Sequence, residues 1–537
     1  MPDRATVAYF CMEYGLDASF PIYAGGLGVL AGDFIKSAHD LGLPMVAIGL
    51  RWERGYCVQR IGPDGQPYDE FPEYDHGFLR DTGVRVRVRV RGKEVACAVW
   101  VTDRFGHVPL YLIEPYRDAD RWITRRLYES GTDPRLAQEI LLGIGGLRAL
   151  NWLEPSVTTY HFNEGHAVFA GVEMICERME GGMPFPDAWA DTRRHIVFTT
   201  HTPVKEGNEE HPLKELRRMG ACLELSEAEM RSLGGDPFNM TVAGLRLSRR
   251  ANAVSQLHAE TSRSMWGAIA DAAPIEGITN GVHAPTWQSP QIRSAARDPQ
   301  ALWAAHGEHK RELVAEVERR TGVRFDPDAL LIGFARRAAG YKRPDLILRD
   351  EAWLSRLFAE HPVNLLFSGK AHPDDRGGKG VVSHLVAAQG RFEGRVVFLE
   401  NYEMNLGRLL TRGCDVWLNN PVRPLEASGT SGMKSALNGG LNLSILDGWW
   451  PEACEHGVNG WAIGSIDSGD DVRDLKALQE VLIRQVLPAW TDPPRWIGMM
   501  QASLATAEAR FTSDRMVREY FEKLYLTPSD VPVAHSR

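Results

Sequence analysis

The chain has 537 residues, which is too many for one ordinary hydrophobic core, so we expect two or three domains. Its apolar fraction of 44%, charged fraction of 24% and net charge of -9 are typical of a soluble globular protein and argue against non-specific nucleic-acid binding. We expect neither a signal peptide nor a membrane span, because no basic start precedes an apolar run and no segment has about 18 uncharged apolar residues. Seven scattered cysteines without C-x-x-C spacing predict reduced thiols in a cytoplasmic protein and no metal site.

Short β-branched runs alternate with longer amphipathic segments in the first part of the chain. V-A-Y-F-C-M at 7–12 predicts a strand, which a glycine turn and a helix follow. V-R-V-R-V-R-V-R at 84–91 alternates strictly, so it predicts a half-exposed strand that pairs with A-C-A-V-W-V across Gly92. Further strands are predicted at 44–50, 158–162 and 195–201.

A second series of strands follows a long charged helix, predicted from about Ala301 to Arg320. Its strands are predicted at 330–335, 363–369, 395–400, 414–418 and 441–446. Two successive series of this kind predict an α/β protein with two Rossmann-like doubly wound lobes that face a cleft. We expect an N-terminal lobe over 1–278, a C-terminal lobe over 279–510, and a helix within 511–537 that packs back on the first lobe.

Polar or glycine-rich segments follow several predicted strands, where such sheets bind ligands. The turn A-G-G-L-G at 24–28 can aim backbone N–H groups at an anion, and a tight turn that needs small residues explains it equally well. Four cations crowd the end of another strand and favour phosphate binding over a solvated loop. They are Arg336, Arg337, Lys342 and Arg343.

Two further segments carry candidate residues. Y-H-F-N-E-G-H and T-T-H-T-P hold His161, Asn163, Glu164, His166 and His201. Their spacing is similar to that of metal ligands, but no third cluster completes a zinc or iron site, so together they favour sugar or phosphate contacts. A structural role remains the alternative for any one histidine.

The stretch E-A-S-G-T-S-G-M-K, 426–434, places a single lysine between small residues, just inside a predicted helix. It lacks the G-x-x-x-x-G-K-[ST] spacing of a P-loop. The N–H groups at 429–432 predict a second anion cradle. Lys434 either pairs with a phosphate or links covalently to an aldehyde cofactor, and the residues alone favour the phosphate pairing.

Six collinear motifs between about residue 8 and residue 450 resemble those of the glycogen/α-glucan phosphorylases. E-A-S-G-T-S-G-M-K is similar to the family's pyridoxal-phosphate lysine motif, E-A-S-G-T-G-N-M-K. The other five motifs are G-G-L-G at 25–28, T-T-H-T-P at 199–203, G-I-T-N-G at 277–281, Y-K-R at 341–343 with Arg337 before it, and F-L-E-N-Y at 398–402. The chain resembles the family's short bacterial branch.

The resemblance implies a glycosyltransferase-B architecture and retaining phosphorolysis of terminal α-1,4-linked glucose from glycogen or maltodextrin. The partners are then the α-glucan, inorganic phosphate and glucose 1-phosphate, with no nucleic acid or membrane. Such phosphorylases are often homodimers. In the family's reaction the substrate phosphate gives a proton to the leaving oxygen, and the cofactor phosphate tunes its protonation.

The resemblance also assigns residues. Pyridoxal 5'-phosphate is held by Lys434, Gly25, Arg336, Lys342, Thr430 and Ser431. The catalytic residues are Arg337, Lys342, His201 and Lys434. The substrate is bound by Gly26, Leu27, Arg337, Gly432, His166, His201, Asn280, Glu426, Ser428, Gly429 and Tyr402.

The chain departs from the family pattern at a few points. R-I-H-E-Y-K-R reads R-A-A-G-Y-K-R here, and G-N-M-K reads S-G-M-K. The chain is shorter than the regulated phosphorylases, so we expect their allosteric regulation to be absent. Trp449 and Trp450, among fifteen tryptophans, either contact sugar or pack in a core.

Two alternative functions remain. One is a nucleotide-sugar-dependent retaining glycosyltransferase without pyridoxal phosphate, similar to glycogen synthase. Tyr23 stands where the K-x-G-G-L loop of those enzymes has lysine, which weakens this reading. The other alternative is a catalytically inactive glucan-binding protein, which the intact motif residues disfavour.

Overall fold

The computed structural model describes residues 6–204, 208–466 and 470–526, which fold into two compact units. The first unit contains the residues up to Tyr56, Pro72–Thr279, and the chain from Ser513 on. The second contains Cys57–Phe71 and Asn280–Thr512. No helix in the described ranges is long and apolar enough to cross a bilayer.

Most strands are short and buried, and the helices are of ordinary globular length. The strands are β1 (Val7–Phe10), β2 (Met45–Leu50), β3 (Val58–Ile61), β4 (Pro67–Glu70), β5 (Arg80–Val90), β6 (Lys93–Thr102), β7 (Leu110–Pro115), β8 (Thr159–Asn163), β9 (Ile196–Thr199), β10 (Glu210–His211), β11 (Phe238–Asn239), β12 (Arg250–Ala253), β13 (Ile275–Gly277), β14 (Leu330–Ala335), β15 (Val363–Ser368), β16 (Val396–Leu399), β17 (Val416–Asn419), β18 (Leu441–Ile445) and β19 (Gly460–Ile463). The α-helices are α1 (Gly26–Asp40), α2 (Thr132–Ile140), α3 (Gly146–Leu153), α4 (Val168–Glu180), α5 (Phe185–Arg193), α6 (Leu213–Met219), α7 (Glu227–Gly234), α8 (Met240–Leu247), α9 (Gln256–Trp266), α10 (Ala284–Trp287), α11 (Pro290–Ala295), α12 (Pro299–Thr321), α13 (Glu351–Glu360), α14 (Arg376–Arg391), α15 (Met404–Gly413), α16 (Ser431–Ala436), α17 (Trp450–Ala453), α18 (Asp471–Val481), α19 (Leu487–Trp490), α20 (Pro493–Arg510) and α21 (Ser513–Tyr520).

The first unit is built on a nine-stranded sheet in the order β13-β12-β9-β8-β1-β2-β7-β6-β5. Its strands run parallel from β13 to β7, and β6 and β5 are antiparallel. In β5 the valines at 86, 88 and 90 are buried and the arginines between them are exposed, which confirms the predicted alternation. The strand that follows β1 in sequence, β2, lies on one side of β1 in the sheet, and the later strand β8 lies on its other side. The strand order therefore reverses between β1 and β8, and such sheets bind ligands at this switch point.

The second unit is built on a parallel six-stranded sheet in the order β16-β15-β14-β17-β18-β19. Its central strands are buried along their whole length, as expected for a sheet covered on both faces. Its switch point lies between β14 and β17, so the loops after these two strands share one edge. Two doubly wound α/β units confirm the predicted fold class, and each predicted strand is present.

The hairpin β3–β4 lies with the second unit, although its sequence position places it within the first predicted lobe. The reason is a set of contacts made by Gln59, Arg60 and Ile61. The Gln59 side chain exchanges two hydrogen bonds with the backbone of Ala371, at 3.2 and 3.0 Å. Arg60 and the N–H of Ile61 both donate to the Glu400 carboxylate, at 3.0 and 2.9 Å. Because these partners lie more than 300 residues away in the sequence, no local pattern predicts that the hairpin belongs to the second unit.

Candidate active site

A buried ion triad lies at the switch point of the second unit. Arg336 directly follows β14, and Lys342 lies six residues further on in the same loop. Both reach Glu426 in the loop after β17: the Glu426 Oε2 atom is 2.7 Å from Arg336 Nη2 and 2.9 Å from Lys342 Nζ. Arg336 also donates to the side chain of Asn419 at the end of β17. The two loops are therefore held together by charge at the edge where a ligand is expected.

The triad sets the ionisation of Glu426. Burial alone would raise the pKa of this carboxyl, but the charges of Arg336 and Lys342 outweigh burial and lower it to about 2. Glu426 is therefore a carboxylate at neutral pH. Two cations against one carboxylate leave a surplus positive charge in a buried place, which favours a bound anion.

The loop that carries Glu426 is held by Asp447, which follows β18. The Glu426 N–H donates to Asp447 Oδ2 at 3.0 Å, and the Gly448 N–H donates to Oδ1 at 2.8 Å. Burial raises the pKa of Asp447 to about 7. Gly429 has φ +72°, and a Cβ built there would lie 3.0 Å from Arg336 Nη2, so glycine lets the guanidinium lie against the loop.

Lys434 lies in α16, eight residues after Glu426, and its side chain is buried. Its Nζ atom is 3.7 Å from the centroid of the Trp287 ring, a contact that stabilises a desolvated cation. Asn438 donates to the carbonyls of both Lys434 and Trp287, at 2.8 and 3.1 Å, which fixes the helix against this ring. The hydroxyl of Ser428 is buried without a hydrogen-bond partner among the described residues.

The glycine turn of the first unit surrounds a buried carboxylate. Glu13 Oε2 accepts the N–H groups of Ala24 and Gly25, at 2.6 and 3.1 Å, and Oε1 accepts the Tyr128 hydroxyl at 2.7 Å. The N–H groups that remain at the start of α1 belong to Gly26, Leu27 and Gly28, and none has a hydrogen-bond partner among the described residues. The Gly25 N–H thus binds Glu13 within the fold, and the cofactor contact of Gly25 stays a prediction.

A second group of polar residues lies at the same edge of the first unit, after β8 and β9. His201 Nε2 is 2.7 Å from Asn163 Oδ1, and the His201 N–H donates to the Glu164 carboxylate. Burial lowers the pKa of His201 to about 3, so the ring is neutral at physiological pH. Glu164 has φ +75°, a strained conformation for a residue with a side chain, and such strain is frequent at functional sites.

Comparisons with known proteins identify the family of this chain. A model of the family described as carbohydrate phosphorylase matches residues 290–456, the range that carries the ion triad and Lys434. Maltodextrin phosphorylase of Thermococcus litoralis is 41% identical, over 97% of this chain and 70% of its own length. Glycogen phosphorylase of Mycobacterium bovis is 40% identical over the same shares. The chain belongs to the carbohydrate phosphorylase family. An uncharacterized protein of Methanocaldococcus jannaschii is 36% identical, over 96% of this chain and 99% of its own length.

Members of the carbohydrate phosphorylase family generally depend on pyridoxal phosphate, and the residues around Lys434 fit that group. A buried primary amine is present for the aldehyde. Arg336 and Lys342, in the same unit, are buried cations suited to a phosphate. Ser431 Oγ accepts the Trp417 Nε1–H at 3.1 Å, so its own hydroxyl proton is available to an anion.

Several other predicted residues lie in the second unit. Arg337 is exposed beside the buried Arg336, and Tyr402 and Thr430 are partly exposed. Burial raises the pKa of Tyr402 to about 12, against the opposing charge of nearby Arg336. Asn280 is buried at the start of the unit. A Cβ on Gly432 would lie 2.4 Å from Asn442 Oδ1, so packing requires glycine there.

The structure gives Arg343 a different role from the predicted phosphate contact. Its buried guanidinium donates to the carbonyls of Asn420 and Pro421, at 2.9 and 2.8 Å. It also pairs with Asp471 and Asp474 of α18, at 2.8 and 2.7 Å. With these acceptors, Arg343 ties the loop after β17 to a helix, and its donors are used within the protein.

The histidines of the first unit also separate into two groups. His161 is fully buried between the Tyr525 hydroxyl and the Thr199 hydroxyl, at 2.6 and 2.7 Å, which is a structural role. His166 is half-buried, its ring centroid lies 6.0 Å from that of Tyr128, and burial lowers its pKa to about 3. The structural alternative is thus correct for His161, while His166 and His201 remain candidates.

Three residues that hold the candidate site carry no recognisable motif in the sequence. Glu13 and Asp447 bind backbone N–H groups of the two key loops, and Asn419 orients Arg336. Each acts through a partner that only the tertiary structure brings near. For Glu13, the one feature in the sequence that could have indicated a role is a single acidic residue directly after a predicted strand, in C-M-E-Y-G.

One further group has the composition of a metal site. Single ligand atoms of Glu139, Glu209 and His211 lie within 4.8 Å of one another. The Arg135 guanidinium pairs with Glu209 at 2.8 Å and approaches Glu139 at 3.5 Å. The group is an ion-pair network in which a guanidinium already supplies the positive charge.

Proposed function

We propose that this chain is an α-glucan phosphorylase that uses pyridoxal 5'-phosphate held by Lys434. The reaction is retaining phosphorolysis: the bond from C1 of the terminal glucose to the glucan oxygen breaks, and a phosphate oxygen bonds to C1. A proton of the substrate phosphate passes to the leaving glucan oxygen, and the product is α-glucose 1-phosphate. The observation that carries this proposal is the buried Arg336–Lys342–Glu426 triad, in a chain of the carbohydrate phosphorylase family.

The proposed role of the cations is to bind and neutralise phosphate. Arg336 and Lys342 lie in a buried setting where charge interactions are strong, and their single carboxylate partner leaves them a net positive charge. Arg337 is exposed beside them and can approach the substrate phosphate with two parallel N–H groups. Stabilised phosphate next to the glucose C1 atom favours the oxocarbenium-like transition state of glycosyl transfer.

The proposed cofactor contacts are Lys434, Thr430 and Ser431, with Arg336 and Lys342 at its phosphate. When bound, the cofactor supplies a second phosphate group that tunes the protonation of the substrate phosphate. Lys434 anchors it, and the Trp287 ring holds the lysine side chain in place. The Ser431 hydroxyl, already an acceptor for Trp417, is left to donate to an anion.

The proposed sugar contacts of the second unit are Glu426, Ser428, Gly429, Asn280 and Tyr402, and Gly432 is a proposed contact of the substrate phosphate. For the first unit, taken by itself, the proposed substrate contacts are His166, His201 and Leu27, with Gly26 for the substrate phosphate. Because its pKa is about 2, Glu426 accepts hydrogen bonds from sugar hydroxyls at neutral pH. His201 donates from Nε2 to the Asn163 oxygen, so its Nδ1 is left as an acceptor. The N–H groups of Gly26 and Leu27 begin α1 and favour a nearby anion.

The comparisons support neither the nucleotide-sugar-dependent glycosyltransferase nor the inactive glucan-binding protein. The similar proteins are named maltodextrin phosphorylase and glycogen phosphorylase, and none of the three described above is named a synthase. Cytoplasmic location and a homodimer remain predictions for this chain.

Borohydride reduction tests the cofactor assignment. Purified protein loaded with pyridoxal 5'-phosphate is reduced, digested and mapped by mass spectrometry. We expect a phosphopyridoxyl group on the peptide that contains Lys434, and none in Lys434→Ala. A stable adduct on another lysine, or a protein that takes up no cofactor, contradicts the assignment.

A further inference from the structure

The turn after β18 is bonded to the loop of Glu426 at more than one point. Besides the bond from the Glu426 N–H to Asp447, the Trp449 N–H donates to the Ser428 carbonyl at 3.0 Å. Gly448 has φ +59°, and a Cβ there would overlap the same carbonyl oxygen, so the two backbones approach as closely as glycine allows. The turn therefore fixes the backbone from which the side chains of Glu426 and Ser428 extend.

The turn itself is anchored in the core by two tryptophans. Trp449 and Trp450 are each only 2% exposed, so the core alternative is correct for them. The Trp449 ring centroid lies 4.7 Å from that of Phe511, and Trp450 Nε1 donates to the Trp461 carbonyl at 3.2 Å. A turn held in this way presents the Asp447 carboxyl to the neighbouring loop in one orientation.

The bonds made by Asp447 suit the ionised form of its carboxyl. Asp447 is fully buried, and its two oxygens accept the N–H groups of Glu426 and Gly448. An ionised carboxylate only accepts hydrogen bonds, so it matches two N–H donors. A protonated carboxyl brings an O–H donor to partners that are donors themselves, which weakens its bonds to them. The hold on the Glu426 backbone therefore depends on the charge of Asp447.

This charge is costly to the fold. Burial, with the nearby Glu426 carboxylate, raises the pKa of Asp447 to about 7 from an ordinary 3.8, against the effects of its two N–H partners and of Arg423. Arg336 and Lys342 lie beyond Glu426, which they contact. Because the pKa is raised in the folded state, ionisation of Asp447 lowers stability as the pH rises from 3.8 through 7. A charge kept at a cost in stability is typical of groups that serve a site.

We propose that Asp447 is a positioning residue of the glucose site: its ionised carboxylate holds the Glu426 backbone in the orientation that binds the sugar, and protonation weakens this hold. The identity of the sugar rests on the proposed function. Glucose then binds the ionised form more tightly than the protonated form. By linkage, glucose binding near neutral pH releases a proton from Asp447 to the solvent.

Two other ionisable sugar-site candidates of the second unit do not titrate in the same range. Glu426 has a pKa of about 2, because the charges of Arg336 and Lys342 outweigh its burial. Burial raises the pKa of Tyr402 to about 12. Between pH 6 and 8 their charges are therefore constant, while that of Asp447 changes.

Isothermal titration of D-glucose into the full-length, cofactor-loaded protein tests this role without phosphate or turnover. A ligand that binds only the ionised form of an acid with a pKa of about 7 has a Kd about ten-fold lower at pH 8 than at pH 6, and we expect this ratio for wild type. Titrations at pH 7 in buffers of different ionisation enthalpy should show release of about half a proton per glucose.

Asp447→Asn is the diagnostic variant, because it keeps the shape of the side chain and removes the charge. We expect its Kd at pH 8 to be about ten-fold higher than that of wild type, with a Tm no lower, since the variant removes a buried charge. The cofactor phosphate also titrates, at about pH 6, so the proton release that remains in the variant measures its share.

Asp298→Asn is the matched control in the same unit. Asp298 also accepts two backbone N–H groups, those of Gln300 and Ala301 at 2.9 and 3.0 Å, but it is exposed at the start of α12. This variant should match wild type in glucose affinity and in proton release at each pH.

The outcomes separate this role from the proposed function. Equal pH dependence and equal proton release in wild type and Asp447→Asn overturn the role, as does a wild type that binds no glucose, whether or not the protein forms glucose 1-phosphate. Weaker binding with a lower Tm and unchanged proton release makes Asp447 merely structural and also overturns it. A protein that forms no glucose 1-phosphate, but loses glucose-linked proton release in Asp447→Asn, overturns the phosphorylase function and supports the positioning role.

Discussion

Replacing Glu426 by glutamine tests the electrostatics of the candidate site. Glutamine keeps the shape of the side chain and removes its charge, which leaves Arg336 and Lys342 buried without a carboxylate. Glu426 has a pKa of about 2 against an ordinary 4.5, a difference that corresponds to about 3 kcal/mol at neutral pH. Loss of one partner from a buried ion pair usually costs a similar ~3–5 kcal/mol.

Thermal unfolding of the second unit measures this loss. For a unit of this size a destabilisation of about 3 kcal/mol lowers Tm by about 6–12 °C. Because the pKa of Glu426 is lowered in the folded state, its contribution is complete above pH 4.5 and is lost as the pH falls towards 2. The difference in Tm between wild type and variant should therefore shrink as the pH falls from 4.5 towards 2.

A surface pair supplies the control for this prediction. Glu318 pairs with Arg324 at 2.7 Å, and their side chains are 41% and 80% exposed. Glu318→Gln should therefore change stability by less than about 0.5 kcal/mol. If Glu426→Gln lowers Tm no more than this control does, Glu426 is not the counter-charge of the two cations and the electrostatic account of the site is wrong.

Three further predictions concern the cofactor lysine, the loop and the histidines. Lys434→Ala and Lys434→Arg should lose phosphorolysis and cofactor absorbance with unchanged circular dichroism, since neither side chain offers a primary amine; full activity would contradict the anchor role. Gly429→Ala should raise the KM for phosphate and destabilise by about 1–3 kcal/mol, because φ is +72° and the added methyl group crowds Arg336; a KM like that of wild type would contradict this. Burial lowers the pKa of six histidines of the first unit to about 3 or 4. They are His76, His107, His161, His166, His201 and His258. Below pH 6.5 the unfolded chain therefore binds more protons than the folded unit, and each histidine should remove up to about 1.4 kcal/mol of stability per pH unit; melts that do not change between pH 7 and 5 would contradict it.

The strands that could be predicted are those whose burial leaves a continuous apolar run. L-L-I-G-F-A is buried at every position, and the predicted bounds, 330–335, agree with β14. Polar residues directly after such a strand lie at the ligand edge, which is why Arg336 and Lys342 were found from the sequence. The resemblance to the family motifs then identified Glu426 and Lys434 as candidate site residues.

Two kinds of feature could not be predicted: strands too short to show a pattern, and side chains whose role depends on partners distant in the sequence. The strand β12, with the sequence R-A-N-A, is too short and too polar to show a period of two. Arg343 and Arg336 follow the same strand and have the same charge, and only their tertiary partners make one structural and the other a ligand candidate. The carboxylate of Glu13 reaches the Gly25 N–H through the folded turn, which no local pattern indicates.

The most direct measurement is phosphorus NMR of the cofactor-loaded protein with maltodextrin and inorganic phosphate. The proposed function predicts a growing signal of α-glucose 1-phosphate that requires both the glucan and phosphate and is absent in Lys434→Ala. A fully loaded wild-type protein that forms no glucose 1-phosphate, but extends maltodextrin from a nucleotide sugar, would contradict the account.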